Sequence, residues 1–451
     1  MSRLFSPEHR ARLFRHLWIA LAKAEKNAGL AIDTAQIEAM QQCADQINWD
    51  AITKHEHILR HDVMAHIHAF GELCPQAKPI IHLGATSCFV TDNADLIIYR
   101  DALYLLLRKN ASLLRRLSQF ARDTAHIPTL GYTHFQPAQP TTVGKRTCLW
   151  LQDLLIDAHQ LERLLEWLPF LGMKGATGTQ ASLLELVHPD RIPAIEQEIA
   201  SSFGFRRILA ISGQTYTRKI DIEIANPLAS SAASFHKMAT DLRLLAHEGE
   251  LLEGKTSQQI GSSAMPHKRN PVLAERICGL ARFALSLAQN PLYTQATQWL
   301  ERSLDDSSNR RLALAELFLS LDALYNLTYA LFQGLSVERE AIATHLEEAA
   351  PLLVMEPLLM RSAKRGADRQ TAHEALRRIS QLAGSSPERL AAALEQDRSL
   401  PLSAEDVTEL LNAEQMTGLA AQQVDAFLTN EVAPFLSDYP LDEPRWPPTE
   451  I

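Results

Sequence analysis

Residues 85–127 read ATSCFVTDNADLIIYRDALYLLLRKNASLLRRLSQFARDTAHI, a stretch without glycine or proline. Within it Leu103, Leu106, Leu107, Leu113, Leu114, Leu117 and Phe120 recur at the three-and-four spacing that lines one face of a helix. An unbroken helix of about 40 residues would be roughly 60 Å long, more than the core of one small domain can cover. The same punctuation is missing from Lys145 to Leu168, from Leu228 to Glu248 and from Leu292 to Gln333. Valine is scarce, alternating apolar–polar runs are few, and Leu, Ala, Glu, Gln and Arg dominate, as helices prefer. The expected fold is all-α, with a central bundle of long helices packing within and across subunits. Sustained heptads are missing, which argues against a plain coiled-coil scaffold.

Asn226-Pro227 and Asn270-Pro271 each read as an N-cap followed by proline at the first helical position. The chain leaves a His-rich segment near residue 87 and meets Gly334 after its last long stretch. The expected division is therefore an N-terminal helical domain (1–87), a central long-helix domain (88–334) and a C-terminal helical domain (335–451). Hydrophobic residues make up 46% and charged residues 22%, the balance of an ordinary globular protein. MSRLFSPEHRARLFRHLW at the N-terminus has arginines among its apolar positions and no secretory pattern. No apolar run reaches the roughly 20 residues of a membrane helix. Five cysteines, none in a CxxC pair, argue for a reducing compartment and against structural zinc. A cytoplasmic protein is expected. The net charge of −9 disfavours nucleic acid as a partner, so an anionic substrate would need a local cluster of cations.

SQQIGSSAMPHKRNP (Ser257–Pro271) offers one. Lys268 and Arg269 stand just before a helix start, where backbone N–H groups and the helix dipole favour anions. A serine in that field would lose its proton more easily. Within this string GSSAMPHKRNP resembles the signature of the fumarase/aspartase superfamily, whose members eliminate fumarate from succinyl-bearing substrates. RHDVMAHIHAFG (Arg60–Gly71), IHLGATSCFVTDNADLI (Ile81–Ile97) and TLGYTHFQPAQPTTVGKR (Thr129–Arg146) resemble its adenylosuccinate lyase family. So do KGATGTQAS (Lys174–Ser182), GQTYTRKIDIE (Gly213–Glu223) and WLERSLDDSSNRR (Trp299–Arg311), with the animal-type branch most alike.

The resemblance implies a three-domain fold whose long helices form a homotetramer core, with each active site shared between subunits. It implies succinyl-nucleotide substrates, adenylosuccinate and the succinyl-carboxamide ribotide, and no cofactor or metal. Such an elimination needs a base for a weakly acidic proton beside a carboxylate, an acid for the departing nitrogen, and cations for the charge between. By resemblance His134 is the general acid, Ser262 the general base, and Lys268 the stabiliser of the developing carboxylate charge. Thr86, Ser87 and Gln180 match residues that hold the succinyl group. Arg60, His61 and Asp62 match a nucleotide-contacting triplet, in which His61 helps position the phosphate or the acid. His82 matches a histidine beside the leaving group, and Glu275 a partner that orients a catalytic histidine. Arg3, Arg276, Arg302, Ser307 and Arg311 match the remaining nucleotide and phosphate contacts, a role guanidinium groups suit.

Two positions depart from the animal-type pattern. Leu4 and His267 stand where tyrosine is usual. The rival readings are another fumarate-releasing lyase such as argininosuccinate lyase, a silent helical scaffold, and a metal-dependent hydrolase suggested by the many histidines. His61, His66 and His68 lack the HExxH arrangement, and no Rossmann fingerprint or P-loop is present.

Overall fold

In the computed structural model, which describes residues 1–254, 265, 267–383, 386–411 and 415–439, Ser6 starts the first helix. Its hydroxyl accepts the His9 N–H at 3.2 Å, and Pro7 takes a position that needs no N–H donor. This helix is α1 (Pro7–Asn27). It is followed by α2 (Thr34–Cys43), opened by an Asp33/Gln36 capping box, then α3 (Trp49–Leu59) and α4 (Asp62–Leu73). The opening stretch quoted above forms α5 (Ser87–Asp123), 37 residues without a break. A hairpin, β1 (Pro128–Thr133) and β2 (Gln136–Thr142), leads into α6 (Val143–Trp167). Next come α7 (Ala181–Leu184), α8 (Ile192–Ser202), α9 (Lys219–His247), α10 (Val272–Leu287), α11 (Asn290–Thr297) and α12 (Asp306–Gly334). A ribbon of β3 (Leu251–Leu252) and β4 (Ser336–Val337) precedes α13 (Arg339–Leu353) and the shorter C-terminal helices. The fold is all-α apart from these two ribbons among the described residues.

Contacts gather the chain into two compact units. The first comprises residues 1–108, 157–233 and 280–323. In it α1 packs on α8 and α2, burying Phe14, Leu17, Trp18 and Leu21, and Tyr99 stacks on Phe318. Its interior also holds a network of charges. Arg218 pairs with Asp92 at 3.0 Å and Asp306 at 2.5 Å, and Arg310 with Asp221 at 2.6 Å and Asp95 at 3.4 Å. The Tyr216 hydroxyl donates to Asp221 at 2.6 Å, and Arg10 closes the network on Asp95 at 2.6 Å. Burial is the largest single influence on the Arg218 pKa and lowers it, but Asp92, Tyr216 and Asp221 together outweigh it and raise it.

The second unit comprises residues 109–156, 234–279 and 324–451. Phe235 meets Tyr325 edge-on at 4.8 Å, and Trp150 packs against Phe332. Buried Asn110 donates through Nδ2 to the Tyr325 hydroxyl at 3.0 Å and to the Leu154 carbonyl at 3.1 Å, which ties α5 to α12 and α6. Residues 354–407 form their own small core around Leu358, Leu376, Ile379 and Leu390.

Three local expectations are corrected. Pro227 does not begin a helix but lies inside α9, which starts at Lys219. An interior proline costs about 3 kcal/mol. Burial of Ile224 and Leu228 on either side, at about 1.5–3 kcal/mol each, offsets it. The Leu292–Gln333 stretch is two helices, because Leu300 turns left-handed (φ 45°) and the Glu301 carbonyl leaves the helix to accept the Gln214 N–H at 3.1 Å. At Asn270-Pro271 the helix α10 begins at Val272, and its cap is distant in sequence. Glu253 accepts the N–H groups of Leu273 and Ala274 at 3.0 and 2.8 Å.

Glu25 on α1 is fully buried, and neither carboxylate oxygen has a hydrogen-bond partner among the described residues. Burial pushes its pKa up to about 8 from 4.5. A carboxyl raised on folding binds its proton more tightly in the native state. Its contribution is therefore fully present below the unfolded value and is lost as pH climbs through the folded one. Thermal melts of wild type should fall between about pH 4.5 and 8, and Glu25→Gln should flatten that slope. Parallel curves for the two proteins would show that Glu25 titrates normally.

Candidate active site

Arg60 ends α3 in the left-handed conformation (φ 49°), and the next residue, His61, starts α4 by accepting the Met64 N–H on Nδ1 at 3.3 Å. The sharp turn between two helices thus presents Arg60, His61 and Asp62 together. They line a cavity of about 480 Å³ in the first unit with Ser87, Arg302, Ser307 and Arg311. Seven residues picked out in the sequence meet there. Ser87 and Thr91 come from the first turns of α5, and Ser307 and Arg311 from those of α12.

The cavity is also lined by residues that the sequence reading passed over: Arg10, Asp92, Asp95, Gln214, Arg218 and Arg310. Asp92 and Asp95, three apart on one helix, look like an ordinary solvated face in the sequence; their burial was the missing signal. Arg10, Arg218 and Arg310 are committed to these aspartates and to Asp221 and Asp306. Arg60, Arg302 and Arg311 are not. Among the described residues the one carboxylate paired with any of these three is Asp62, at 3.8 Å from Arg311. The free side of the cavity is therefore cationic, as a multiply anionic ligand requires. Arg302 is aimed from below, donating to Gln214 Oε1 at 3.2 Å and to the Cys88 sulfur.

Other candidates of this unit do not line the cavity. Thr86 stands immediately before α5 and accepts the Phe89 N–H at 2.9 Å. Arg3 is exposed near the N-terminus. Gln180, left-handed at φ 59°, turns its amide back on its own loop and donates to the Met173 carbonyl at 3.0 Å. That loop is fixed by Lys174, which reaches Glu196 at 2.9 Å. His82 accepts the Trp18 indole N–H on Nδ1 at 2.9 Å. Indole only donates, so a neutral His82 carries its hydrogen on Nε2. Burial, and then the nearby His61, lower the His82 pKa to about 4, which keeps the ring neutral near pH 7.

In the second unit His134 and Phe135 form the two-residue tip of the β1–β2 hairpin, both left-handed (φ 53° and 56°) between the paired Thr133 and Gln136. That geometry ordinarily takes Asn-Gly, so two bulky residues there are strained. His134 is exposed. Lys268 is exposed ahead of α10, and Glu275 and Arg276 are exposed in its first turn. Because Glu253 occupies the N–H groups at that helix start, the anion resident there is the chain's own. Ser262 and most of the signature loop lie outside the described residues.

Six non-glycine residues among those described have positive φ: Arg60, His82, His134, Phe135, Gln180 and Leu300. Four are candidate site residues and the other two flank candidates closely. Strain of this kind persists where the surroundings impose it, often at functional sites.

A family model described as "Lyase" matches residues 8–284, and one described as "Adenylosuccinate lyase C-terminus" matches residues 351–427. The chain is 43% identical to the adenylosuccinate lyase of Saccharomyces cerevisiae over 444 residues, covering 96% of this chain and 92% of that protein. It is 42% identical to that of Schistosoma mansoni over 446 residues, covering 96% and 93%. A fumarate lyase from Mesorhizobium sp. BNC1 shares the fold with a TM-score of 0.84 at 24% identity, over 95% of this chain and 97% of that one. Identity at this level, held over nearly the whole length, places the chain in the adenylosuccinate lyase family.

Proposed function

We propose that this protein is a C–N lyase of purine nucleotide biosynthesis, expelling fumarate from adenylosuccinate to leave AMP. The same elimination applies to the succinyl-carboxamide ribotide, giving the free carboxamide ribotide. The observation that carries the reading is its 42–43% identity to adenylosuccinate lyases over 96% of its length. The cavity supports it, with Arg60, Arg302 and Arg311 on a side where Asp62 is the one carboxylate paired with any of them among the described residues.

The chemistry follows from the residues. Ser262, as alkoxide, removes a proton from the succinyl carbon beside the carboxylate. Negative charge builds on that carboxylate and is met by Lys268. The C–N bond breaks, its electron pair leaves with nitrogen, and His134 supplies the proton that nitrogen needs. Thr86, Ser87 and Gln180 hold the succinyl carboxylates, and Arg3, Arg60, Asp62, Arg276, Arg302, Ser307 and Arg311 hold the nucleotide and its phosphate. His61 positions the phosphate or the acid. Neutral His82, with its hydrogen on Nε2, donates beside the leaving group, while Glu275 orients a histidine.

The active protein is a homotetramer with shared sites, working in the cytoplasm. Two features support sharing. His134 stands on an exposed hairpin tip, and the segment carrying Arg302, Ser307 and Arg311 also exposes Trp299 (75%), Leu300 (95%), Leu304 (69%) and Leu312 (70%). Apolar side chains exposed in such a group mark a surface that a partner covers. Among the described residues no helix is long and apolar enough to cross a membrane.

Incubation with adenylosuccinate should release fumarate at the same rate with and without chelator; no release would end the assignment. His134→Ala and Ser262→Ala should each lower kcat by about 10²–10⁴-fold with circular dichroism unchanged, and near-normal turnover in either would remove that residue from its role. Mixing the two inactive variants after dissociation should restore part of the activity, since some reassembled sites would draw an intact His134 and an intact Ser262 from different subunits. Re-formed tetramers without activity would count against shared sites.

A further inference from the structure

Glu250 is a fully buried carboxylate that the elimination does not use. It stands just before β3, and its carbonyl accepts the Glu338 N–H at 2.9 Å beside the β3–β4 pairing. Its side chain gathers four groups. Oε2 accepts the Thr129 hydroxyl at 2.9 Å and lies 3.8 Å from the Arg146 guanidinium. Oε1 is 3.0 Å from Nδ1 of His345 on α13, and the Tyr132 phenol is near enough to the same carboxylate that burial and then Glu250 push its pKa up to about 12. Thr129 and Tyr132 belong to β1, the strand that climbs to His134. Arg146 strengthens the hold by donating to the Leu130 carbonyl at 2.6 Å. Both strands of the hairpin pack on α13.

The hairpin needs such an anchor. A two-stranded ribbon is at best marginally stable alone. This one has a register shift between Leu130 and Tyr132, and a Cβ on Gly131 would collide with the Gln139 carbonyl oxygen. Its tip carries two strained residues. Where the tip points is therefore decided at the base, and the base is tied to one buried charge. Removing any partner of that charge leaves a desolvated carboxylate poorly matched, so the four groups keep their places together.

We infer that Glu250 is the positioning residue of the His134 hairpin, holding the imidazole where the departing nitrogen needs its proton, and that His345 ties this position to the C-terminal region. The inference rests on the reading of His134 as the general acid. A proton donor acts in the transition state, so misplacing it lowers kcat and leaves KM nearly unchanged. Glu250→Gln should lower kcat for fumarate release by about 10–100-fold, with wild-type circular dichroism and assembly. Thr129→Val should do the same, and Thr129→Ser, which restores the hydroxyl, should recover the rate. This pair keeps the test alive if Glu250→Gln does not fold. In the His134→Ala background Glu250→Gln should cost nothing further, because the group it positions is already gone. Wild-type kcat in Glu250→Gln and Thr129→Val, equal losses in Thr129→Val and Thr129→Ser, a loss confined to KM, or a full additional loss in the double variant would each overturn the inference. A fully active His134→Ala protein would instead overturn the acid assignment beneath it.

Discussion

Two buried arginines, Arg218 and Arg310, are held among four buried aspartates, Asp92, Asp95, Asp221 and Asp306. The first unit depends on this arrangement. The aspartates lie in the opening turns of α5, α9 and α12, so pairing them with two guanidiniums fixes where three long helices begin. Each ion would cost several kcal/mol to bury unpaired, which leaves few alternative registers. Such a network adds little net stability compared with a well-packed apolar core. What it secures is position, and the cavity wall stands directly on it.

The same network decides the charge of the cavity. The chain has more acid than base, with a net charge of −9, and the cavity wall itself includes Asp92 and Asp95. Those carboxylates would repel a nucleotide if they were unmatched. With Arg10, Arg218 and Arg310 committed to neutralising them, Arg60, Arg302 and Arg311 meet, among the described residues, only the carboxylate of Asp62, 3.8 Å from Arg311. An acidic protein thereby keeps a cationic site, through the assignment of partners rather than through composition.

The long helices were legible because their signal is local: spans without glycine or proline, and apolar residues on one face. What sequence missed was set by tertiary contacts. Pro227 is tolerated inside α9 because its neighbours are buried, and α10 is capped by Glu253 from beyond the signature loop instead of by Asn270. The candidate site was legible through motifs, which bring Arg60, His61, Asp62, Ser87, Arg302, Ser307 and Arg311 to one cavity. Its supporting charges were not. An aspartate in a helical stretch reads as solvent-facing unless its burial is known, and Arg310 looks no different from Arg311 beside it. The structure separates them: Arg310 is buried in the network, and Arg311 is exposed at the cavity.

Backbone strain connects the two units in kind. At about 1 kcal/mol or more each, the six left-handed side-chain-bearing residues among those described cost an amount comparable with a domain's net stability of about 5–15 kcal/mol. None is glycine, so the sequence gives no warning of them. They survive because rigid neighbours impose them: α3 and α4 at Arg60, the Trp18 indole at His82, the closed Lys174 loop at Gln180, and the hairpin pairing at His134. Rigid support beneath, with a strained and often exposed residue above, is what a site requires if its groups must meet a substrate without first rearranging. In the first unit that support is the aspartate–arginine network; in the second it is the single carboxylate of Glu250.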